Sequence, residues 1–397
     1  MKPVSEHNCH IDSTDIEICL GHDEPLYEQH GTMMPPVYQT SLFAKKTFAE
    51  LVNAFPAEHQ NYIYSRGQNP TVEALEKKLA ALEHGEACKC SASGMAAVSS
   101  LFYGLLKRGD HILFVNNIYG PTLQLANHLR RFGIEHTICL SHNIAAIERD
   151  IRPETRLIYF ESPATMTFRM LDIRQLVDLA KSRNILTAID NTWATPLFMK
   201  PLAMGVDISL HSLTKYVGGH SDVVAGALIT DAELHREIFA NGYMLNGGAM
   251  APWNGWLLIR GLRTLPNRML QHHRDGLQIA RFLSDHPAVA RVNHPAFVTE
   301  DCDLLPQLSG FSSLFSIELK TEKFADICSF IDNLRLFRTG VSWGGVESLV
   351  ISPSNGSNAD ALRHKGISPG LVRFSVGLEG VDALTADLDQ ALSKISV

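Results

Sequence analysis

Asp190 and Lys215 stand 25 residues apart, each at or just beyond the end of a short apolar run. The first run, 185–189, stops at the Asp190 carboxylate; the second, 206–210, leads through Ser212, Leu213 and Thr214 to Lys215 and the pair Gly218-Gly219. Apolar runs of this length read as buried strands, and reactive groups at their carboxyl ends suit an open α/β sheet, which binds ligands at that edge. An amine flanked by hydroxyls, with an acid upstream, is what a pyridoxal phosphate site requires. The lysine supplies a Schiff base, the acid keeps a pyridine nitrogen protonated, and the hydroxyls receive a phosphate.

Other segments offer groups that could complete such a site. In 91–106, SASGMAAVSSLFYGLL, small residues open a helical apolar pattern and set Ser93, Gly94 and Met95 at its start. Free backbone N–H groups and the helix dipole favour an anion there. A core helix that needs small residues at its start is the competing reading. Tyr119 follows the strand expected at 111–115 and could cover a flat ring or simply pack. Tyr64 and Arg66, in NYIYSRGQNP, could bind a phosphate or stay solvated; Thr71 then reads as the cap of a helix. Arg373, on an apolar strand near the C-terminus, needs a carboxylate, from the protein or from a substrate.

The elements that must position these groups alternate. Strands are expected at 111–115, 134–138, 156–160, 185–189, 206–210 and 224–229, with helices at 122–132, 144–151 and 172–182 between them. That alternation predicts a mostly parallel sheet with helices on both faces. Residues 231–284 read as largely helical, followed by strands at 314–319 and 371–376 and helices at 323–333 and 381–393. The expected organisation is an N-terminal extended arm over 1–60, a cofactor-binding domain over 61–255 and a smaller C-terminal domain over 256–397. The arm could lie on a neighbour or cover its own domain. Residues 352–360, SPSNGSNAD, read as the least ordered stretch.

Composition narrows the function. The chain has 397 residues, 45% hydrophobic and 19% charged, with a net charge of −7, which offers nucleic acid and anionic membranes no general attraction. No apolar run is long enough to span a bilayer. The N-terminus MKPVSEHNCHIDSTDIEICLG lacks a signal peptide's apolar centre, so a cytoplasmic location is expected. Seven cysteines without framework spacing suggest scattered reduced thiols, and the 18 histidines show no metal-ligand spacing, so no metal is expected. A nicotinamide dehydrogenase is disfavoured because no G-x-G-x-x-G follows an early strand.

Taken together, YSRGQNPT, SASGMAAV, ESP, DNTWATP, SLTKYVGGHSD, RGLRTL and SWGGVESL resemble the Cys/Met-metabolism family of pyridoxal phosphate enzymes, from about residue 15 to the end. Within it, DNTW, QHH, VARVNHPA and VSWGG resemble the bacterial β-lyase branch that acts on cystathionine. The resemblance implies the aspartate-aminotransferase type I fold, with a seven-stranded sheet and an α+β C-terminal domain. It implies Lys215 as the Schiff-base lysine, Asp190 at the ring nitrogen, Tyr119 on the ring face and in catalysis, and Gly94, Met95, Ser212 and Thr214 at the phosphate. Tyr64 and Arg66 should reach a neighbouring subunit's cofactor in a homotetramer built as a dimer of dimers. Arg373, with Ser342 and Trp343, should hold the carboxylate of a sulfur amino-acid substrate. Two departures from the family pattern matter. Thr165 stands where many relatives place an asparagine near the cofactor's phenolic oxygen, and Val341 replaces a glutamate of many γ-acting relatives, which fits β-elimination better.

Overall fold

A computed structural model of the chain describes residues 9–21 and 30–395. Seven strands form the larger sheet: β1 (Ala87–Ser91), β2 (His111–Val115), β3 (Glu135–Cys139), β4 (Thr155–Glu161), β5 (Leu186–Asp190), β6 (Ile208–His211) and β7 (Gly226–Thr230). Their order across the sheet is β1-β7-β6-β5-β4-β2-β3. The pairs from β3 through β6 are parallel, and β7 runs antiparallel to both β6 and β1.

Side chains alternate along each strand, so a sheet buried on both faces feeds two cores. Leu113 and Val115 of β2, with Ile158 and Phe160 of β4, join one hydrophobic cluster. Their neighbours Ile112, Phe114, Leu157 and Tyr159 join the other, together with Leu101 and Phe102 of the helix Gly94–Leu105. Helices therefore cover both faces, as the alternation predicts.

A second sheet of five strands has the order β10-β11-β12-β9-β8. Its members are β8 (Val289–Asn293), β9 (Leu314–Leu319), β10 (Arg338–Thr339), β11 (Leu349–Ile351) and β12 (Leu371–Ser375). Phe315, Ile317, Val372 and Phe374 from this sheet share the core that also holds Leu113 and Phe160. The two sheets thus meet through one continuous apolar layer. Residue 255 falls inside the helix Pro252–Leu262, which packs on the helix Pro70–Glu83.

The N-terminal segment differs from the extended arm expected over 1–60. Of its residues, 1–8 and 22–29 lie outside the described ones. Helices Ser13–Leu20 and Phe48–Ala54 form because Asp12 and Thr47 cap them with side-chain oxygens. Ser13–Leu20 packs on helices Pro70–Glu83, Pro252–Leu262 and Leu265–Asp285 of its own chain. The cap of the helix after YSRGQNP also differs. Asn69 caps it, accepting the Thr71 N–H at 3.0 Å, with Pro70 at the first turn. Thr71 instead pins the N-terminal segment, donating its hydroxyl to the Pro36 carbonyl at 2.9 Å and accepting the Tyr38 N–H at 2.9 Å. The stretch 352–360 is tied by its own side chains: Asn358 Nδ2 donates to Pro353 O, and the Asn355 N–H donates to Asn358 Oδ1, each at 3.0 Å.

Candidate active site

The carboxyl ends of β4, β5 and β6 place Glu161, Asp190 and His211 side by side, with Glu161 and Asp190 in register across β4 and β5. The turn after β6 turns Lys215 into a cavity of about 370 Å³, within the size range of small-molecule sites. Gly344 helps build this turn. Its φ of +82° suits glycine, and a Cβ there would meet the Tyr216 backbone nitrogen at 2.8 Å. The loop between β10 and β11 therefore lies directly against the Lys215 turn. Lys215 Nζ donates to Ser342 Oγ at 3.1 Å and lies 5.6 Å from the centre of the Trp343 ring. Burial, and then the nearby Arg373, lower the Lys215 pKa, while Asp190 opposes the shift.

Asp190 keeps one oxygen free. Its Oδ1 accepts both the N–H of Thr192, at 3.0 Å, and the Thr192 hydroxyl. Oδ2 takes no hydrogen bond among the described residues, and the side chain borders the cavity.

On another wall, Ser93 caps the helix Gly94–Leu105 by accepting the Ala96 N–H at 3.0 Å. This leaves the first-turn N–H groups of Gly94 and Met95 available for an anion. Close approach makes this wall possible. A Cβ on Gly226 would meet the Ser93 carbonyl oxygen at 2.4 Å, and one on Gly94 would press on Ser212 at 3.2 Å. Ser212 and Thr214 line the same wall, although the Thr214 hydroxyl already donates to Ala225 O at 3.1 Å. Contact with a phosphate requires that hydroxyl to turn away from Ala225.

Arg373 enters from β12. It is 8% exposed, and burial lowers its pKa to about 10. One guanidinium nitrogen donates to the carbonyl oxygens of Val341, at 2.9 Å, and Ser342, at 3.4 Å. No carboxylate among the described residues pairs with it, so its charge remains for a ligand. Val341 stands at the mouth and is 81% exposed. Tyr119, half exposed, and Thr165 line the remaining wall. Both are fixed by Glu161, whose carboxylate accepts the Tyr119 N–H at 2.6 Å and the Thr165 N–H at 3.2 Å. Burial, and then the charge of Asp190, push the Glu161 carboxyl well above the usual carboxylate range.

Thirteen of the residues singled out in the sequence therefore meet around one cavity: Ser93, Gly94, Met95, Tyr119, Thr165, Asp190, Ser212, Thr214, Lys215, Val341, Ser342, Trp343 and Arg373. Tyr64 and Arg66 do not. Both are exposed, with the Arg66 guanidinium 5.8 Å from the centre of the Tyr64 ring. Thr192 and the double grip of Glu161 were not singled out. A hydroxyl residue two positions after an aspartate is a known local turn signal, but its second partner, the Ser212 N–H, lies 20 residues away.

The residues present fit pyridoxal phosphate. An amine of reduced basicity, a carboxylate oxygen without a partner and a helix start lined with small residues surround the same space. Comparison with known proteins agrees. Residues 18–393 match the family model for Cys/Met metabolism PLP-dependent enzymes. An L-methionine γ-lyase of Fusobacterium nucleatum subsp. polymorphum is 38% identical over 383 residues, covering 94% of this chain and 97% of the relative. A cystathionine β-lyase of Lactococcus lactis subsp. cremoris is 38% identical over 374 residues, covering 92% and 95%. A crystal structure from Campylobacter jejuni subsp. jejuni, provisionally assigned as an O-acetylhomoserine (thiol)-lyase, superposes with a TM-score of 0.88 at 29% identity. It covers 96% of this chain and all of its own, and carries a pyridoxyl-lysine phosphate at position 205. The architecture is thus the type I fold of such enzymes. The chain belongs to the Cys/Met metabolism family of PLP-dependent enzymes, and pyridoxal phosphate is its cofactor.

Proposed function

We propose that this chain is a carbon–sulfur lyase that cleaves L-cystathionine by α,β-elimination, with water giving homocysteine, pyruvate and ammonia. One observation supports this most. Arg373 is a buried guanidinium with no carboxylate of its own among the described residues, and it shares a cavity with Lys215. An amino-acid substrate supplies the missing carboxylate. Held there, its Cα–H bond can be turned towards Lys215.

When bound, pyridoxal phosphate supplies the electron sink that allows Cα to lose a proton and a thiolate to leave Cβ. Lys215 would hold it, and its Nζ would take the α-proton of the substrate. The lowered basicity of that amine leaves more of it unprotonated near neutral pH. Ser342, at 3.1 Å, orients it. Asp190 offers Oδ2 to the ring nitrogen, Thr165 faces the phenolic oxygen, and Gly94, Met95, Ser212 and Thr214 receive the phosphate. Tyr119 would cover the ring, and its phenolate form would accept the substrate's ammonium proton. The exposed Tyr64 and Arg66 reach the phosphate of a second copy, so the working unit is a homodimer, paired again as a homotetramer in the cytoplasm. Trp343 and Val341 border the substrate side chain, and Val341 offers no charge to a distal amine.

A γ-acting reading has its own support, since the methionine γ-lyase relative is as similar as the β-lyase. Product identification separates the two. With L-cystathionine, pyruvate and homocysteine are expected; 2-oxobutyrate and cysteine would replace the β-lyase reading by the γ-lyase one. No turnover by a protein that carries bound cofactor would point to another S-substituted amino acid.

A further inference from the structure

We propose that Thr192 is a positioning residue that holds one oxygen of Asp190 so that the other faces the cofactor ring, and that it ties this carboxylate to the phosphate wall. This rests on the reading of Asp190 as the partner of the ring nitrogen.

Thr192 is buried and borders the cavity. Both of its donors go to the same atom, Asp190 Oδ1: the backbone N–H at 3.0 Å and the hydroxyl proton. A hydroxyl has one proton to give and lone pairs to spare. The Thr192 oxygen uses a lone pair to accept the Ser212 N–H at 2.8 Å. One side chain therefore connects the end of β5, which carries the ring-nitrogen partner, to the residue after β6, which faces the phosphate.

The consequence for Asp190 is directional. Tilting its carboxylate out of its present plane would break two hydrogen bonds to one oxygen. Oδ1 is therefore saturated on the protein side, and Oδ2 is left for the ring. The strand ends beneath are fixed independently. Buried Glu83 accepts from Asn191 Nδ2 at 2.9 Å, from Ser209 Oγ at 3.1 Å and from His211 Nε2. Asn191 and His211 adjoin the residues that Thr192 joins, so the backbone stays in place while the hydroxyl acts on the carboxylate. The other ionisable groups near Asp190 are Glu161 and Tyr159 on β4, His211 on β6 and Lys215.

Thr192→Val keeps the shape and removes only the hydroxyl; Thr192→Ser keeps the hydroxyl. The holoenzymes are compared by titrating the visible absorption band of the lysine-bound cofactor against pH, and by cofactor release on dilution. A poorly held Asp190 leaves the ring nitrogen less protonated. Positive charge opposite the protonated imine is lost, and the midpoint of the band rises. For Thr192→Val the expected rise is on the order of one pH unit, with the cofactor held about tenfold more weakly. Thr192→Ser should match the wild type in both. If Thr192→Val does not fold, Thr192→Ala is read in the same way. A hydroxyl-free variant with wild-type midpoint and release would overturn the proposal, whatever its melting temperature. Asp190→Asn separates the two levels. If that variant also keeps the wild-type midpoint, the ring-nitrogen reading itself falls; if it shifts while Thr192→Val does not, only the role of Thr192 falls.

Discussion

Buried charge is handled differently inside and outside the cavity. Away from the site, several buried ions are matched, although Arg268 is held only by the Tyr216 and Gly261 carbonyls and the Thr264 hydroxyl among the described residues. Lys89 lies 3.1 Å from Glu76 with both side chains almost wholly enclosed, Arg169 forks onto Asp301 at 2.9 Å, and Lys200 reaches Asp15 at 2.7 Å. In the cavity, Arg373 has only carbonyl partners and Asp190 keeps an oxygen without a donor among the described residues, and the Lys215 amine rests on a serine hydroxyl. A buried ion without a counter-ion is costly to the apo fold. The difference teaches that unmatched charge beside an open cavity marks where a charged ligand can complete the structure, whereas Arg268, unmatched but held by three protein oxygens, shows the fold completing itself.

The largest break in that comparison comes from the cavity side. Lys215→Ala should abolish both the visible cofactor band and elimination; turnover at the wild-type rate in that variant would refute the role of the amine. On the matched side, Glu76→Gln should cost about 3 kcal/mol of stability by stranding Lys89. Urea unfolding reads this, and the KM for amino acid should stay near that of the wild type. A raised KM with normal stability would erase the distinction between the two regions.

The C-terminal part of the core sharpens the comparison with a group that avoids charge altogether. His294, among Phe297, Phe311 and Phe315, accepts the Ala296 N–H at 3.1 Å through Nδ1. Burial, and then His273, lower its pKa to about 3. A histidine depressed in the folded state leaves stability intact above its unfolded value near 6.5 and removes it as pH falls towards 3. Stability at pH 5 should therefore be about 2 kcal/mol below that at pH 7 through this residue alone. His294→Gln should shrink the gap by that amount, and an unchanged gap would mean that His294 takes a proton without cost. The smallest expected effect is at the surface. Arg66→Ala should weaken cofactor retention about tenfold, while unchanged retention would count against a contact across subunits.

Much of the site was legible because β5 and β6 are short apolar runs with their reactive residues immediately behind them. That pattern pointed to Asp190 and Lys215 as candidates, and the family resemblance supplied the roles expected of them. Arg373 was legible only as a charge in need of a partner, since nothing local distinguishes a structural ion pair from a substrate site. Strand β1 was not legible. Its sequence ACKCS carries a lysine at its centre, and Glu76 from the preceding helix, with Gly67 O and Gln68 Oε1, makes that burial tolerable. Thr192 escaped for a similar reason, because its role depends on Ser212 across a strand boundary. The Thr214 hydroxyl was expected at the phosphate, yet it holds Ala225, a pairing that hydropathy does not encode.

The central claim is that the unmatched guanidinium of Arg373 exists for the substrate carboxylate. The measurement that tests it most directly is the KM for L-cystathionine of Arg373→Met, taken on protein of known melting temperature. The expected result is a KM raised about a hundredfold, equivalent to roughly 3 kcal/mol, in a protein at least as stable as the wild type. A wild-type KM, or a collapse in stability, would contradict the account and make Arg373 a structural residue.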